Sequence, residues 1–132
     1  HLVVISSVVG KFGTAQRSSY AASKHALHGY FDSLRSEVFN KGINITIACP
    51  GFVKTDITLH ALNGDGSLYN KMDEHQANGI AAEECANEIL KAVKQKKEEV
   101  VIARGQEKYG VLMKRFFPKW FSQTIRKRKV VG

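Results

Sequence analysis

Ile43-Asn44-Ile45-Thr46-Ile47-Ala48-Cys49-Pro50-Gly51 is the stretch on which the fold turns. Up to Cys49 it is β-branched and nearly unbroken in apolarity, the pattern of a parallel strand covered on both faces. Pro50-Gly51 stops the run, because proline cannot donate to a ladder and the glycine frees the backbone to turn. Working outward, residues 18–40 read as a long helix that Ser18 or Ser19 could cap and Gly42 ends. Leu27, Tyr30, Phe31, Leu34 and Val38 give it a broad apolar face, and Ala22, Ala26, Gly29 and Ser33 a small-residue one. Before it, residues 2–6 read as a buried strand and residues 7–16 as a loop in which Gly10 and Gly13 permit tight turns. After it, residues 82–96 read as a helix with Ile89, Leu90 and Val93 inward and Glu83 and Glu84 near its positive end. Residues 99–103 read as a last strand. Strand, helix, strand, helix, strand predicts an α/β class with three parallel strands.

Tyr20-Ala21-Ala22-Ser23-Lys24 places a phenol and an ammonium at i and i+4, on one helical face. A free tyrosine has a pKa of about 10 and is a poor acid or base at neutral pH, whereas a fixed positive charge favours its phenolate. Ser7 ends the first strand, so its hydroxyl is expected at the edge where open α/β sheets hold their ligands. On its own, Tyr-x-x-x-Lys is as easily an ordinary helix surface. What tips the balance toward catalysis is a family resemblance in which Ser7, Pro50-Gly51 and Thr55 fall in register with it.

At these residues the chain resembles the short-chain dehydrogenase/reductase family. Ser7, Tyr20 and Lys24 match the family's serine and its Tyr-x-x-x-Lys in type, order and separation, and Pro50-Gly51 followed by Thr55 matches the end of its next strand. Tyr-Ala-Ala-Ser-Lys-His-Ala and the segment around Gly64-Asp65-Gly66-Ser67 are similar to the steroid-dehydrogenase-like branch, including its dehydrogenase/reductase member 7 group. The resemblance implies a Rossmann-type, doubly wound parallel sheet. Residues 1–105 would be the catalytic, C-terminal half of that domain, and residues 106–132 a basic aromatic extension. It implies hydride transfer between a nicotinamide cofactor and a carbonyl/alcohol substrate, with Tyr20 as proton donor or acceptor and Ser7 holding the substrate oxygen. Lys24 would lower the tyrosine pKa and bind the nicotinamide ribose. Ser6 is the alternative for the serine role, at a separation from Tyr20 that fits less well. Pro50, Gly51, Val53 and Thr55 would bind the cofactor beside Tyr20 and Lys24. Likeness to the steroid-type branch favours NADP(H) over NAD(H) and a lipophilic substrate, as in lipid or steroid metabolism. The family's glycine-rich Gly-x-x-x-Gly-x-Gly turn and its Asn-Ala-Gly segment are not in this sequence, so the chain reads as a half whose cofactor-binding partner half lies elsewhere. A second class therefore stays open, an inactive fragment or non-catalytic interaction module.

With 132 residues, 43% hydrophobic and 24% charged, the composition is that of an ordinary globular domain. Its net charge of +8 is unevenly spread: residues 1–107 hold 12 basic and 12 acidic side chains, residues 108–132 eight basic and none acidic. A neutral body with a cationic appendage argues against nucleic acid as partner. In the appendage Tyr109, Leu112, Met113, Phe116, Phe117, Trp120, Phe121 and Ile125 interleave with Lys114, Arg115 and Lys119, predicting an amphipathic helix broken near Pro118. Two readings stand for it, a cap on the substrate mouth or peripheral contact with an anionic membrane. The small-residue face of the long helix permits close helix packing, and the resemblance implies a homodimer through it.

Cys49 and Cys85 fit neither a zinc nor a Cys-x-x-Cys spacing and read as reduced, buried thiols. His25 and His28 lack a carboxylate at a fitting offset, so no metal site is expected. Residues 52–72, without periodicity, suit a lid or binding loop. The Asn44-Ile45-Thr46 sequon falls in an apolar strand and reads as chance. No apolar run approaches the roughly 18 residues of a membrane span. Localisation stays open between cytoplasmic and membrane-associated, since an anchor could lie upstream.

Overall fold

The computed structural model describes residues 1–56, 60, 62, 65–68 and 77–127. β1 (Leu2–Ile5), β2 (Ile45–Pro50) and β5 (Glu99–Ile102) form a parallel sheet in the order β1-β2-β5. Val4 pairs with Ile47, and Ala48 with Val100. As its composition predicted, β2 lies in the centre, and Ile47, Ala48 and Cys49 are 0% exposed. Thr46 is as deeply buried and satisfies its hydroxyl against the Lys97 carbonyl at 2.6 Å and the His1 ring at 2.8 Å. The sequon threonine is thus a core residue.

Alternation along β2 divides the core between two helices. Ile45, Ile47 and Cys49 join Val4 and Val38 under Leu27, Phe31 and Leu34 of α1 (Ser18–Glu37). Ala48 joins Ile80 and Ile102 under Cys85 and Ile89 of α2 (Ala82–Lys94). One parallel sheet with helices packed on β2 residues of opposite parity is the Rossmann-like α/β arrangement.

Several boundaries differ from expectation. α1 stops at Glu37 and tightens into a 3-10 turn, Phe39–Lys41, before Gly42 reverses the chain at φ +68°. Neither Ser18 nor Ser19 caps α1; Arg17 holds the cap position and its side chain makes no capping hydrogen bond. Ile43 precedes β2 and is exposed. Tyr30 and Leu90 are exposed, because periodicity marks an apolar face but not how far the sheet beneath it extends; in α2 Ala92 is buried and Leu90 is not. The small-residue face of α1, at Ala22, Ala26, Gly29 and Ser33, is exposed. Gly10 and Gly13 keep ordinary backbone angles, and residues 8–10 form a short 3-10 helix.

Within the stretch read as a loop, β3 (Val53–Lys54) pairs in parallel with β4 (Ile80–Ala81), which lies beyond that stretch, to make a second, two-stranded sheet. Gly79 permits it: a Cβ there would lie 2.6 Å from the Phe52 carbonyl oxygen. Asn63 and Gly64 lie outside the described residues. The basic appendage forms two helices, α3 (Gln106–Phe116) and α4 (Pro118–Lys127). Pro118 opens the second, where its missing N–H removes no helical bond. Phe121 turns inward against Phe12, ring centroids 5.2 Å apart, and with Val8, Val111, Met113 and Ile125 closes a third core cluster. Among the described residues no helix is long and apolar enough to cross a membrane.

Candidate active site

The carboxyl ends of β1 and β2 gather most of the sequence-predicted residues. Ser7 follows β1 directly and is buried. Its hydroxyl accepts from the Val9 N–H at 3.2 Å, capping the 3-10 turn, and donates to the Pro50 carbonyl at 3.3 Å. Ser7 and Pro50 are thereby tied across the two strand ends. From the first two turns of α1, Lys24 sends its Nζ to the Ile5 carbonyl at 3.1 Å, the last residue of β1. The same Nζ lies 5.7 Å from the Tyr20 ring centroid, within cation–π range. Tyr20 is 41% exposed and its hydroxyl has no hydrogen-bond partner among the described residues. No hydrogen bond joins Ser7 to Tyr20.

Gly51 donates to the Ile102 carbonyl at 2.9 Å. Val53 starts β3, and Thr55, exposed beyond it, donates to the Val53 carbonyl at 3.4 Å. The Pro50-Gly51 turn has a neighbour the sequence did not announce. Glu107, in the first turn of α3, accepts from the Phe52 N–H at 3.1 Å, and its carboxylate fills the space that a Cβ on Gly51 would take. A cavity of about 270 Å³ opens beside it, bounded by Phe52, Asn78, Gly79, Ile80, Arg104 and Glu107.

Ser6 serves a different purpose from Ser7. It is buried and directs its hydroxyl to the Lys24 carbonyl at 3.2 Å while meeting His28 Nε2 at 3.1 Å. His28 also lies 3.7 Å from Cys49 Sγ and, through Nδ1, 3.4 Å from Glu99 Oε2. His28, Cys49 and Glu99 bring ligand-type atoms within 4.8 Å of one another. Each is otherwise engaged: Lys11 holds the same Glu99 oxygen at 2.7 Å, and burial pushes the Cys49 thiol up to about 12. The group therefore reads as a hydrogen-bonded cluster. Its one sequence signal is that His28 follows Lys24 by four residues and so shares its face; Glu99 and Cys49 come from other strands, and no local spacing points to them.

Residues 1–64 match the family model described as short chain dehydrogenase. The chain is 39% identical over 130 residues to a Drosophila melanogaster protein named dehydrogenase/reductase SDR family protein 7-like, covering 98% of this chain and 40% of that protein. It is 42% identical over 134 residues to dehydrogenase/reductase SDR family member 7B of Danio rerio, covering 100% of this chain and 43% of that protein. The chain thus spans well under half the length of these relatives. The structure of a short-chain dehydrogenase from Streptomyces avermitilis superposes with a TM-score of 0.54 at 18% identity, covering 96% of this chain and 52% of that one, and attests the fold. Relatives matched along nearly the whole chain and the family model over residues 1–64 lead to one conclusion: this chain belongs to the short-chain dehydrogenase/reductases, with the member 7 and 7B proteins among its relatives.

Proposed function

We propose that this chain supplies the proton-transfer site of an oxidoreductase acting on a carbonyl/alcohol pair, lipophilic in character, with Tyr20, Lys24 and Ser7 as its catalytic residues. The observation that carries the reading is the Tyr20 phenol, half open to solvent and unpartnered among the described residues, next to an ammonium anchored at the end of β1. In reduction the Tyr20 hydroxyl gives its proton to the forming alkoxide; in oxidation the phenolate takes one from the alcohol. The Lys24 charge beside the ring stabilises negative charge on the phenol oxygen. Ser7, whose O–H now rests on the Pro50 carbonyl, turns it onto the substrate oxygen and stabilises the charge that develops there.

Family membership implies a nicotinamide cofactor, which supplies or accepts the hydride. The residues present fit its nicotinamide end. Lys24 and Tyr20 stand at the sheet edge where open α/β folds take ligands, with Val53 and the exposed Thr55 hydroxyl following the neighbouring strand end. Glu107 on the Phe52 N–H is the group a cofactor would have to share that turn with. We favour NADP(H) over NAD(H) on likeness to the steroid-type branch. We assign catalysis to residues 1–105 and treat residues 106–132 as an extension. The exposed Leu112, Phe116, Phe117 and Trp120, flanked by Arg115 and Lys119, suit an anionic membrane surface.

In the full protein, Tyr20→Phe is expected to lower turnover by about 10²–10⁴ while leaving cofactor affinity nearly unchanged, because only the proton-donating hydroxyl is lost. Activity retained within about tenfold, against that expected loss, rejects Tyr20 as the acid and favours a non-catalytic module.

A further inference from the structure

Three polar atoms converge on one point beneath the Tyr20–Lys24 face. A Cβ built on Gly10 would lie 2.6 Å from Ser6 Oγ, 3.0 Å from His28 Nε2 and 3.0 Å from the Lys24 carbonyl oxygen. Gly10 keeps an ordinary backbone angle, so what demands glycine there is the space this node takes up. Donor accounting then fixes the direction of the bonds. A carbonyl oxygen only accepts, so the Ser6 hydroxyl donates to Lys24 O and must itself accept from His28, whose Nε2 therefore carries the hydrogen. That leaves Nδ1 without a hydrogen, buried and without a hydrogen-bond partner among the described residues, 3.4 Å from a Glu99 oxygen that Lys11 already holds.

We propose that His28, acting through Ser6, is a positioning residue that sets where α1 presents Lys24 and Tyr20 at the end of β1. The proposal rests on the reading of Tyr20 and Lys24 as catalytic. The node grips the Lys24 backbone from beneath, through its carbonyl, while Nζ of the same residue grips the Ile5 carbonyl. Two bonds from opposite ends of one residue fix both the height and the rotation of the helix against β1. Lys11 from the loop, Glu99 from β5, Asp32 and His25 from α1 and the Cys49 thiol from β2 surround the ring. Desolvation foremost, then Lys11, holds His28 below its ordinary range, in agreement with a neutral ring donating from Nε2.

The test uses the full protein and two readouts. Nitrogen-15 spectra of the imidazole at neutral pH should show a protonated Nε2 and a bare Nδ1, independent of any turnover. His28→Leu should lower kcat by about tenfold to a hundredfold with little change in KM, the scale of a displacement of roughly 1 Å at the reacting groups. His28→Gln, whose amide can donate to Ser6, should restore most of that rate. Gly10→Ala, which crowds the node without removing any of its groups, should reproduce the His28→Leu loss and stands in should that variant not fold. The opposite tautomer, or full turnover in both His28→Leu and Gly10→Ala while Tyr20→Phe is dead, overturns the positioning role and leaves the catalytic assignment standing. An active Tyr20→Phe overturns both.

Discussion

Protonating His28 opposes folding. Burial, and after it the Lys11 charge, lowers its pKa in the folded protein below the ordinary value of 6.5. The unfolded chain takes up the proton first as pH falls, so stability should drop from about 6.5 downward and level off below the folded pKa. His28→Gln should remove this part of the slope, read as denaturation midpoints across that range; an unaltered slope would mean that the ring remains solvated. Cys49 should be inert: fully buried, with its thiol pushed up to about 12, it offers almost no thiolate. Alkylation of the native protein should spare Cys49 until denaturant opens the core. At this scale the sequence was generous where chemistry is local. Tyr20 and Lys24 are one helical turn apart and the structure keeps them within cation–π range, while Ser7 stands out through a family resemblance and sits at the end of β1 without a bond to Tyr20. Glu107 and the His28 cluster stayed hidden, because Phe52 and Glu107, or His28 and Glu99, meet only through the tertiary fold.

Among the elements, α4 carries the sharpest stability expectation. Phe121→Ala should cost about 3–5 kcal/mol, the range for emptying a buried aromatic site, seen as a lower unfolding midpoint. Deleting residues 108–132 would strip that core, so the surface role is better tested by substitution. Replacing Phe116, Phe117 and Trp120 by serine leaves Phe121 in place. If α3 and α4 lie on membranes, the parent protein should sediment with vesicles in proportion to their anionic lipid, less so in salt, and the triple variant should stay in solution. Unchanged sedimentation with a higher KM for bulky substrates favours the cap. β2 was readable because a doubly covered strand has an unmistakable composition, and the break at Pro118 because proline leaves little choice. The pair β3 and β4 was not, for two residues hold no periodicity. Where α1 ends was misjudged since the apolar pattern runs on through Val38, while the backbone has already tightened.

For the whole molecule, three parallel strands with helices on both sides were legible from the alternation of elements alone. The described residues leave β1 paired only with β2, and Leu2, Val3 and Ile5 are exposed along it. Residues 1–132 prepared alone should associate through that edge, visible as concentration-dependent elution. They should also show no dinucleotide binding by calorimetry, since a pyrophosphate is held by a glycine-rich turn after a strand, and this sequence has none. Micromolar binding by a monodisperse sample would show that Tyr20, Lys24, Val53 and Thr55 suffice. The small sheet has an evolutionary consequence. By pinning residues 53–54 beside 80–81, it makes the intervening chain leave and re-enter the scaffold at one spot. Doubling the length of such an excursion adds only about 0.6 kcal/mol of closure entropy, so mutation can lengthen, shorten or exchange it as a cassette while the register of β2 with its neighbours stays untouched. Under the proposed function, a lineage could retool recognition in that excursion without refolding the strands that carry Ser7 and Pro50.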